Sequence, residues 1–241
     1  MNLGEIWAEC GRLLNDPSNQ RWTTDVLTTR ANLASIEIQG STNAVKTVGY
    51  FTPFAVNDHR LLLGDAGVMN VIRAEITRSD GSTVPFPGIN REELNFNYPD
   101  WQQWPSGEPK YWIFEETNNR LFLVPAPDAD NVITDGIQLW QSIKPAALSV
   151  STDIPFDEVV TMYPYHMSIV HWVVAQCWMD NGDQDSLAKA KFHKSGMLEK
   201  PGEYEKQILR IRKEFDAPQA IPSRILWKPE GGRLGWSSFR K

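Results

Sequence analysis

The chain has 241 residues, of which 41% are hydrophobic and 22% are charged. This composition is typical of a globular protein and excludes an intrinsically disordered chain, which would be poor in apolar residues. The formal net charge is −6, but residues 1–185 hold 11 Lys/Arg against 24 Asp/Glu, whereas residues 186–241 hold 13 against 6. An acidic body with a basic end indicates two different kinds of neighbour.

The sequence contains no pattern of a secreted or membrane-spanning protein. Residues 1–5 lack the basic start and apolar stretch of a signal peptide. The most apolar run, residues 169–179, is shorter than the roughly 20 residues that a bilayer crossing requires. Cys10 and Cys177 fall on apolar helix faces, which favours two reduced, buried thiols over a disulfide.

Two helices are predicted at the N-terminus. The first has apolar residues at helical spacing, namely Leu3, Ile6, Trp7, Cys10, Leu13 and Leu14. Residues 15–19 are of types that favour turns, and they end the first helix. Thr23 can then cap a second helix, with Trp22 ahead of it as a hydrophobic staple. Its apolar face is Leu27, Ala31, Ala34 and Ile38, and we expect it to stop near Gly40.

Residues 44–143 change to strand-like runs separated by Gly, Pro and Asn turns. Clear runs lie at residues 68–77, 111–114, 121–124 and 137–143, with hairpin turns expected at 79–82 and 118–119. The segment 98–109 is rich in Pro and Trp and is expected to be an irregular loop. The sequence therefore predicts an antiparallel β-module inserted between helices.

Helical periodicity returns after Pro155, with Pro164 placed in the first turn of a long helix that is apolar on nearly all faces. Such a helix belongs at the centre of a bundle. Two further helices are predicted at residues 183–198 and 202–215. The predicted fold class is α+β, with a helical bundle of residues 1–40 and 155–216, an inserted antiparallel β-module of residues 41–154 and an extended C-terminal tail of residues 217–241. The predicted bundle core includes Trp7, Trp22, Trp172 and Trp178.

The C-terminal tail combines basic and aromatic residues in a segment whose prolines and glycines prevent long regular structure. Its predicted docking residues are Arg224, Trp227, Lys228, Arg233, Trp236, Phe239 and Arg240. This pattern suits a groove on an acidic protein partner, and a solvated disordered tail or a nucleic-acid contact are the alternatives. Docking on a partner is the interpretation that we favour.

No constellation of residues indicates catalysis, a cofactor or a metal. His166 and His171 are five residues apart, so a regular helix cannot aim both at one ion. Residues 180–185 are rich in Asp, but their glycine is misplaced for a calcium loop, and a capped helix start explains the aspartates. Ser195 lies two residues after His193 without a nucleophile elbow around it.

The sequence also argues against a phosphate-binding loop and a glycosidase site. The glycines at 231–235 have no helix after them to supply a phosphate-binding N-terminus. A glycosidase pair could be sought among carboxylates near the tryptophans, namely Glu92, Glu93, Glu115 and Glu116. Carboxylates adjacent in a strand point to opposite faces, so no spacing selects a facing pair. We therefore predict that the chain is not an enzyme.

Three groups of residues carry a resemblance to a known family. The first is Leu13-Leu14-Asn15-Asp16 followed by Arg21-Trp22, Arg30 and Asn32. The second is Gly107-Glu108-Pro109 with Tyr111, leading through a hairpin to residues 121–128. The third is the apolar helix with its Asp180-Asn181-Gly182-Asp183 end and the later helix that contains Tyr204. In this order they resemble the head-to-tail adaptors, also called head-completion or connector proteins, of tailed bacteriophages.

The resemblance implies a structural virion protein of the neck, made in the host cytoplasm, without catalysis, cofactor or membrane. It implies a homo-oligomeric ring, twelve-fold in expectation, that sits below the portal protein. The ring would connect the capsid to a tail or nozzle protein and line the channel for genomic DNA. Family members dock on the portal with C-terminal segments, which matches the basic and aromatic tail of this chain.

Two alternative functions, from other classes of protein, remain open. A carbohydrate-binding or receptor-binding module of a phage tail could use exposed, coplanar aromatics near Trp101 and Trp104. A hydrolase with an unrecognised site is the other. Binding to glycans would favour the carbohydrate-binding module. Turnover of generic ester or glycoside substrates would favour the hydrolase.

Overall fold

The structure is a computed structural model that describes residues 1–50, 60–63, 67–77, 83–115, 120–129, 137–157, 159–194 and 201–215. The predicted turns at 79–82 and 118–119, the end of the helix predicted at 183–198 and the C-terminal tail lie outside these residues. The residues described form α-helices and antiparallel sheets. This mixed content is compatible with the predicted α+β class.

The described residues form six α-helices and seven strands. The helices are α1 (Leu3–Leu13), α2 (Thr24–Thr42), α3 (Arg91–Asn97), α4 (Met167–Asn181), α5 (Gln184–His193) and α6 (Glu203–Phe215). The strands are β1 (Lys46–Tyr50), β2 (Arg60–Leu62), β3 (Val68–Thr77), β4 (Thr83–Phe86), β5 (Tyr111–Glu115), β6 (Arg120–Val124) and β7 (Ile137–Ile143). Short 3-10 helices span Trp101–Gln103 and Val160–Tyr165.

The starts of the first two helices are set by short-range polar contacts. Asn2 and Glu5 form a capping box, in which each side chain accepts a hydrogen bond from the other residue's backbone N–H. Before α2, the Asp16 carboxylate accepts hydrogen bonds from the backbone N–H groups of Gln20, Arg21 and Trp22. Thr23 occupies the N-cap position, but its side chain makes no capping hydrogen bond.

Helix α2 continues two residues past the predicted stop at Gly40. It ends at Thr42, and Asn43 follows in the left-handed conformation with φ 49. Asn tolerates this conformation and replaces glycine as the terminating residue. Ile38, Gln39 and Thr42 are buried, so packing holds the last turn together and outweighs the weak helix propensity of Gly40.

Helix α4 begins later than predicted. Pro164 lies inside the 3-10 helix Val160–Tyr165, and the α-helix starts at Met167. The Ser168 hydroxyl donates to the Tyr165 carbonyl at 2.6 Å across this junction. Pro164 was therefore predicted in the wrong element, because it lies in the 3-10 helix that precedes α4. Proline suits this tight turn because it has no N–H to pair.

The helical part of the chain packs on α4. Helices α1, α2, α5 and α6 each contact α4, and α2 also contacts α1 and α6. The buried residues of α4 are Ser168, Ile169, Val170, Trp172, Val173, Val174, Ala175 and Cys177. These residues cover most of the circumference of α4. A single neighbouring helix could not bury them all, so several helices pack around α4.

The strands form two antiparallel sheets. One has the order β1-β7-β3-β4 and the other the order β2-β6-β5. Consecutive strands pair as hairpins in both sheets, with Glu75 opposite Pro85 and Ile113 opposite Phe122. Strand β3 is irregular against β7, with register shifts between Val68 and Asn70 and between Val71 and Arg73.

The sheets have their own cores. One cluster joins residues of both sheets, namely Leu63, Val68, Val71, Ala74, Trp112, Leu121, Leu123, Ile137 and Leu139. A second cluster lies between α3 and the smaller sheet and contains Leu94, Ile113, Phe122 and Val124. The helical residues form a separate cluster. The chain therefore buries its apolar residues in distinct helical and β regions.

Gln39 ties the two regions together. Its side-chain amide is fully buried at the end of α2. Nε2 donates to the Val45 carbonyl and to Ser142 Oγ, both at 2.7 Å, and Oε1 accepts from the Val45 N–H at 2.9 Å. The Gln39 side chain thus forms hydrogen bonds with the backbone of the residue before β1 and with a side chain of β7. These bonds hold the sheet in a fixed position relative to α2.

We expect Trp172→Ala to lower the free energy of unfolding by about 3–5 kcal/mol, because removing a large buried side chain leaves a cavity. Trp172 is 7% exposed within the helical cluster. Chemical denaturation measures the change. Trp178→Ala is the matched control, since Trp178 is only partly buried and its loss should be smaller. A loss below about 1 kcal/mol for Trp172→Ala would mean that this side chain does not hold the helices together.

Candidate assembly surfaces

The residues predicted for docking lie in the tail, outside the described part of the chain, and their docking stays a prediction. The structure does describe α6, the helix that precedes the tail in sequence. Helix α6 ends at Phe215, and one turn earlier Arg212 Nε donates to the Ser41 carbonyl at 2.8 Å. The last turn of α6 therefore lies beside the C-terminal end of α2.

The four tryptophans predicted in the bundle core all touch the helical cluster. Trp172 is buried, while Trp7, Trp22 and Trp178 are partly buried against the cluster. Each has a polar or cationic neighbour as well. Trp7 Nε1 donates to Thr28 Oγ1 at 3.1 Å, Arg21 and Arg30 lie over the Trp22 ring, and Lys189 lies 4.4 Å from the centre of the Trp178 ring.

Glu37 of α2 is a polar hub that joins several helices. Its carboxylate accepts from Trp172 Nε1 of α4 at 2.7 Å and from the Tyr204 hydroxyl of α6 at 3.2 Å. Lys194, just after α5, lies 3.8 Å from the same carboxylate. Burial, with the nearby Glu37 charge, raises the pKa of Tyr204. This hub was not predicted, because its members are far apart in sequence.

A pair of histidines joins α4 to α5. His171 Nδ1 and His193 Nδ1 are 3.0 Å apart and the rings are stacked, with an angle of 30° between their planes. One imidazole must donate and the other accept, so at least the accepting ring is neutral in this contact. Burial lowers the pKa of both, that of His193 to about 4 with a further contribution from His171. This pair was not predicted, because the two histidines are 22 residues apart in sequence, and only His166 with His171 was weighed as a metal site.

His166 is buried at the start of α4, where its Nδ1 lies 2.8 Å from the N-terminal amine of Met1. Burial and this positive charge lower its pKa to about 4. Asp157, Tyr163 and the His166 ring form a neighbouring chain of contacts, since the Tyr163 hydroxyl donates to Asp157 at 2.9 Å and the two rings are 5.3 Å apart. His166 therefore has a packing role next to the N-terminus.

The aspartates at 180–185 have structural partners. Asp183 caps α5, its Oδ1 accepting from the Ser186 N–H at 2.8 Å. Asp180 forms an ion pair with Arg30 of α2. In the part of the chain that the structure describes, no group of three or more His, Cys, Asp or Glu could hold a metal ion. Cys10 and Cys177 are buried free thiols, and burial raises the pKa of Cys177 to about 11.

The Trp-rich segment of the β-module packs on the smaller sheet. Tyr98, Trp101, Trp104 and Tyr111 lie against the cluster around Leu94. Tyr98 and Trp104 meet edge to face at 68°, so these two rings do not form a flat platform. Trp101 Nε1 donates to Asn95 Oδ1 at 2.6 Å. These contacts favour a packing role over the coplanar aromatic surface that a sugar-binding module would need.

The carboxylates considered for a glycosidase are not brought together as a facing pair by any contact in the described residues. Glu92 and Glu93 lie in the first turn of α3. Glu115 is at the end of β5, where Arg91 Nη1 lies 3.2 Å from it. Glu116 lies outside the described residues. An acidic first turn stabilises a helix, and Glu115 is paired with Arg91, so the three described carboxylates have a structural explanation.

We expect the free energy of unfolding to fall as pH falls from about 6.5 towards 4, because unfolded histidines, with an ordinary pKa near 6.5, take up protons there that buried ones do not. The groups responsible are His166 and His193, whose pKa values are both lowered to about 4. His193→Gln should reduce proton uptake on unfolding by about one. Denaturation at several pH values measures this, and an unchanged pH dependence in His193→Gln would contradict it.

Membership of a family follows from comparison with known proteins. The sequence model of the family described as SU10 adaptor protein matches residues 1–217, which include all the described helices and strands. No curated protein matches the chain. In the described residues no helix is long and apolar enough to cross a membrane. The resemblance to phage adaptors is thereby confirmed, and the chain belongs to the SU10 adaptor family, structural proteins that join the head and tail of bacteriophage particles.

Proposed function

We propose that this chain forms a ring below the portal of a tailed bacteriophage, twelve-fold in expectation, and connects the capsid to the next tail or nozzle protein. The channel through the ring would carry the genomic DNA as it leaves. The observation that carries this proposal is the match of residues 1–217 to an adaptor family. Self-association of one chain into a closed ring needs two complementary surfaces on each copy.

The charge distribution supports two partners at different ends of the molecule. The 56 residues from 186 onward hold 13 Lys/Arg and 6 Asp/Glu, whereas the preceding part is acidic. A surface of one sign steers a partner of the other sign and repels its own kind. We assign the basic C-terminal tail, residues 217–241, to the portal, and the part of the chain before it to neighbouring copies and to the tail or nozzle protein.

The C-terminal tail is the proposed portal anchor. Trp227, Trp236 and Phe239 are costly to leave in water, yet Pro222, Pro229 and the glycines at 231, 232 and 235 disfavour a regular element around them. A groove on a partner would bury these rings. The basic residues among them, Arg224, Lys228, Arg233 and Arg240, suit an acidic rim around that groove.

The proposed role requires no chemistry of its own. Three of the ionisable groups weighed for catalysis or metal binding have structural partners: His171 with His193, Asp183 with Ser186, and Glu115 with Arg91. The polar side chains are used to join helices and cap their ends. We therefore propose an assembly function without catalysis, cofactor or metal.

Deleting residues 218–241 should prevent the protein from joining portal-bearing heads while leaving the thermal melt of the body nearly unchanged. Ordering a tail on binding costs conformational entropy that only buried anchors and matched charges can offset. Infection complemented with the truncated protein should yield DNA-filled heads without tails, seen by electron microscopy. The melt of the purified protein checks that the body stays folded.

Two further variants make this test specific. Replacing the three tail aromatics Trp227, Trp236 and Phe239 by Ala should reproduce the deletion, because the anchors are lost while the length remains. Ser237→Ala with Ser238→Ala is the control within the same segment and should assemble normally. Truncated protein that joins portal-bearing heads as well as the intact chain would place the docking surface elsewhere.

A further inference from the structure

The described surface carries two patches of opposite charge, and each contains exposed apolar side chains. The first, here called the acidic surface, consists of Glu5, Val150, Asp153, Ile154, Asp157 and Tyr163. The second, here called the basic surface, consists of Lys191, Phe192, Lys206, Leu209, Arg210 and Lys213. The apolar members of both surfaces are exposed and lie outside the helical cluster.

The acidic surface is apolar as well as charged. Val150 is 54% exposed, and Ile154 and Tyr163 are 37% exposed. Residues 145–165 contain three carboxylates and no Lys or Arg. Glu5 of this surface forms an ion pair with the N-terminal amine at 3.9 Å. A partner for this surface would therefore have to offer both apolar contacts and positive charge.

The acidic surface is also well ordered by hydrogen bonds. The Leu3 N–H donates to the Asp153 carbonyl and the Gly4 N–H to the Ser151 carbonyl, both at 2.8 Å, so the loop is held on the start of α1. The Asp153 carboxylate accepts from the N–H groups of Ser149 and Val150, and these bonds, that of Val150 foremost, lower its pKa. A surface that is already fixed loses little entropy when it binds.

The basic surface is the outward side of α5 and α6. In α6, Tyr204, Ile208 and Ile211 are buried, and the residues on the opposite side of the helix are Lys206, Leu209, Arg210 and Lys213, all exposed. Leu209 and, in α5, Phe192 are each 56% exposed. Lys206 is paired with Glu203 of its own helix at 2.6 Å. Lys206 and Lys213 thus lie within about one helical turn of Leu209, and Lys191 is next to Phe192 in sequence.

The two surfaces are carried by different segments of the chain. Glu5 belongs to α1 and the rest of the acidic surface to the loop and 3-10 helix before α4, whereas the basic surface belongs to α5 and α6. Helix α6 also contacts that 3-10 helix, where the Tyr165 hydroxyl donates to Glu214. Each surface nevertheless has exposed side chains that a second copy can reach.

We propose that the acidic surface of one copy docks on the basic surface of the next copy, and that this contact builds the ring. The inference rests on the ring in the proposed function and names its two faces. The occupant is a second copy because the same chain supplies both halves of a match in charge and in apolar character. Such a head-to-tail contact between different faces closes into a ring when its rotation allows.

Charge reversal tests this contact in assembled phage. Arg210→Glu with Lys213→Glu, or Glu5→Lys with Asp157→Lys, should each lower the yield of tailed particles at least about tenfold, because like charges then oppose each other across the interface. Combining all four changes restores opposite charges and should recover most of the yield. Melts of the purified variants check that the body stays folded, which matters because Glu5 also caps α1.

The matched control is Lys110→Glu, an exposed lysine of the β-module outside both surfaces, which should assemble normally. Single reversals with normal yield, or a loss that the fourfold variant does not recover, would overturn the proposal. The recovery is the readout that a merely structural effect of the substitutions would not give.

Cross-linking in intact particles separates this inference from the ring itself. With Ile154→Cys and Leu209→Cys in one chain, a bifunctional maleimide should link copies into a ladder of multimers, because both positions are exposed while Cys10 and Cys177 are buried. Either cysteine alone should give no ladder beyond dimers. A ladder from a lysine cross-linker but not from the paired cysteines would keep the ring and overturn these surfaces, and monomers with both reagents would overturn the ring.

Discussion

The rest of the structure depends on the need to enclose α4. Its sequence is apolar around most of its circumference, so it gains stability only when helices cover several sides at once. Helices α1, α2, α5 and α6 all contact it. Two polar groups between these helices, Trp172 Nε1 and the Tyr204 hydroxyl, both donate hydrogen bonds to Glu37. Burial of α4 supplies the driving force, and Glu37 fixes how the helices meet, since a carboxylate that accepts two hydrogen bonds tolerates few arrangements.

Enclosing α4 also leaves surfaces available for assembly. The β-module has its own clusters and joins the helices at the hydrogen bonds of Gln39, so it need not cover α4. The outward sides of α5 and α6 and the loop beside α1 then remain exposed, with opposite charges. A part of a larger assembly needs such exposed surfaces in addition to its buried cores, because its neighbours bind to them.

Much of the element order could be predicted from sequence because it rests on local periodicity. The strand run at residues 137–143 and the apolar helix of α4 follow from spacing alone, and the order of motifs identified the adaptor family. The boundaries were less predictable. Helix α2 passes Gly40 because burial of Ile38 and Thr42 outweighs propensity. The His171–His193 pair and the Glu37 hub join residues that are distant in sequence, and no local pattern signals such contacts.

The central claim is that this chain is the ring between portal and tail. Electron microscopy of the native particle, with the neck reconstructed at a resolution that reveals side chains, tests it most directly. The account predicts copies of α1–α6 arranged around the DNA channel immediately below the portal, with α6 of one copy facing the loop at residues 150–157 of the next. A neck built entirely from other proteins, or this chain located at the distal end of the tail, would contradict the account.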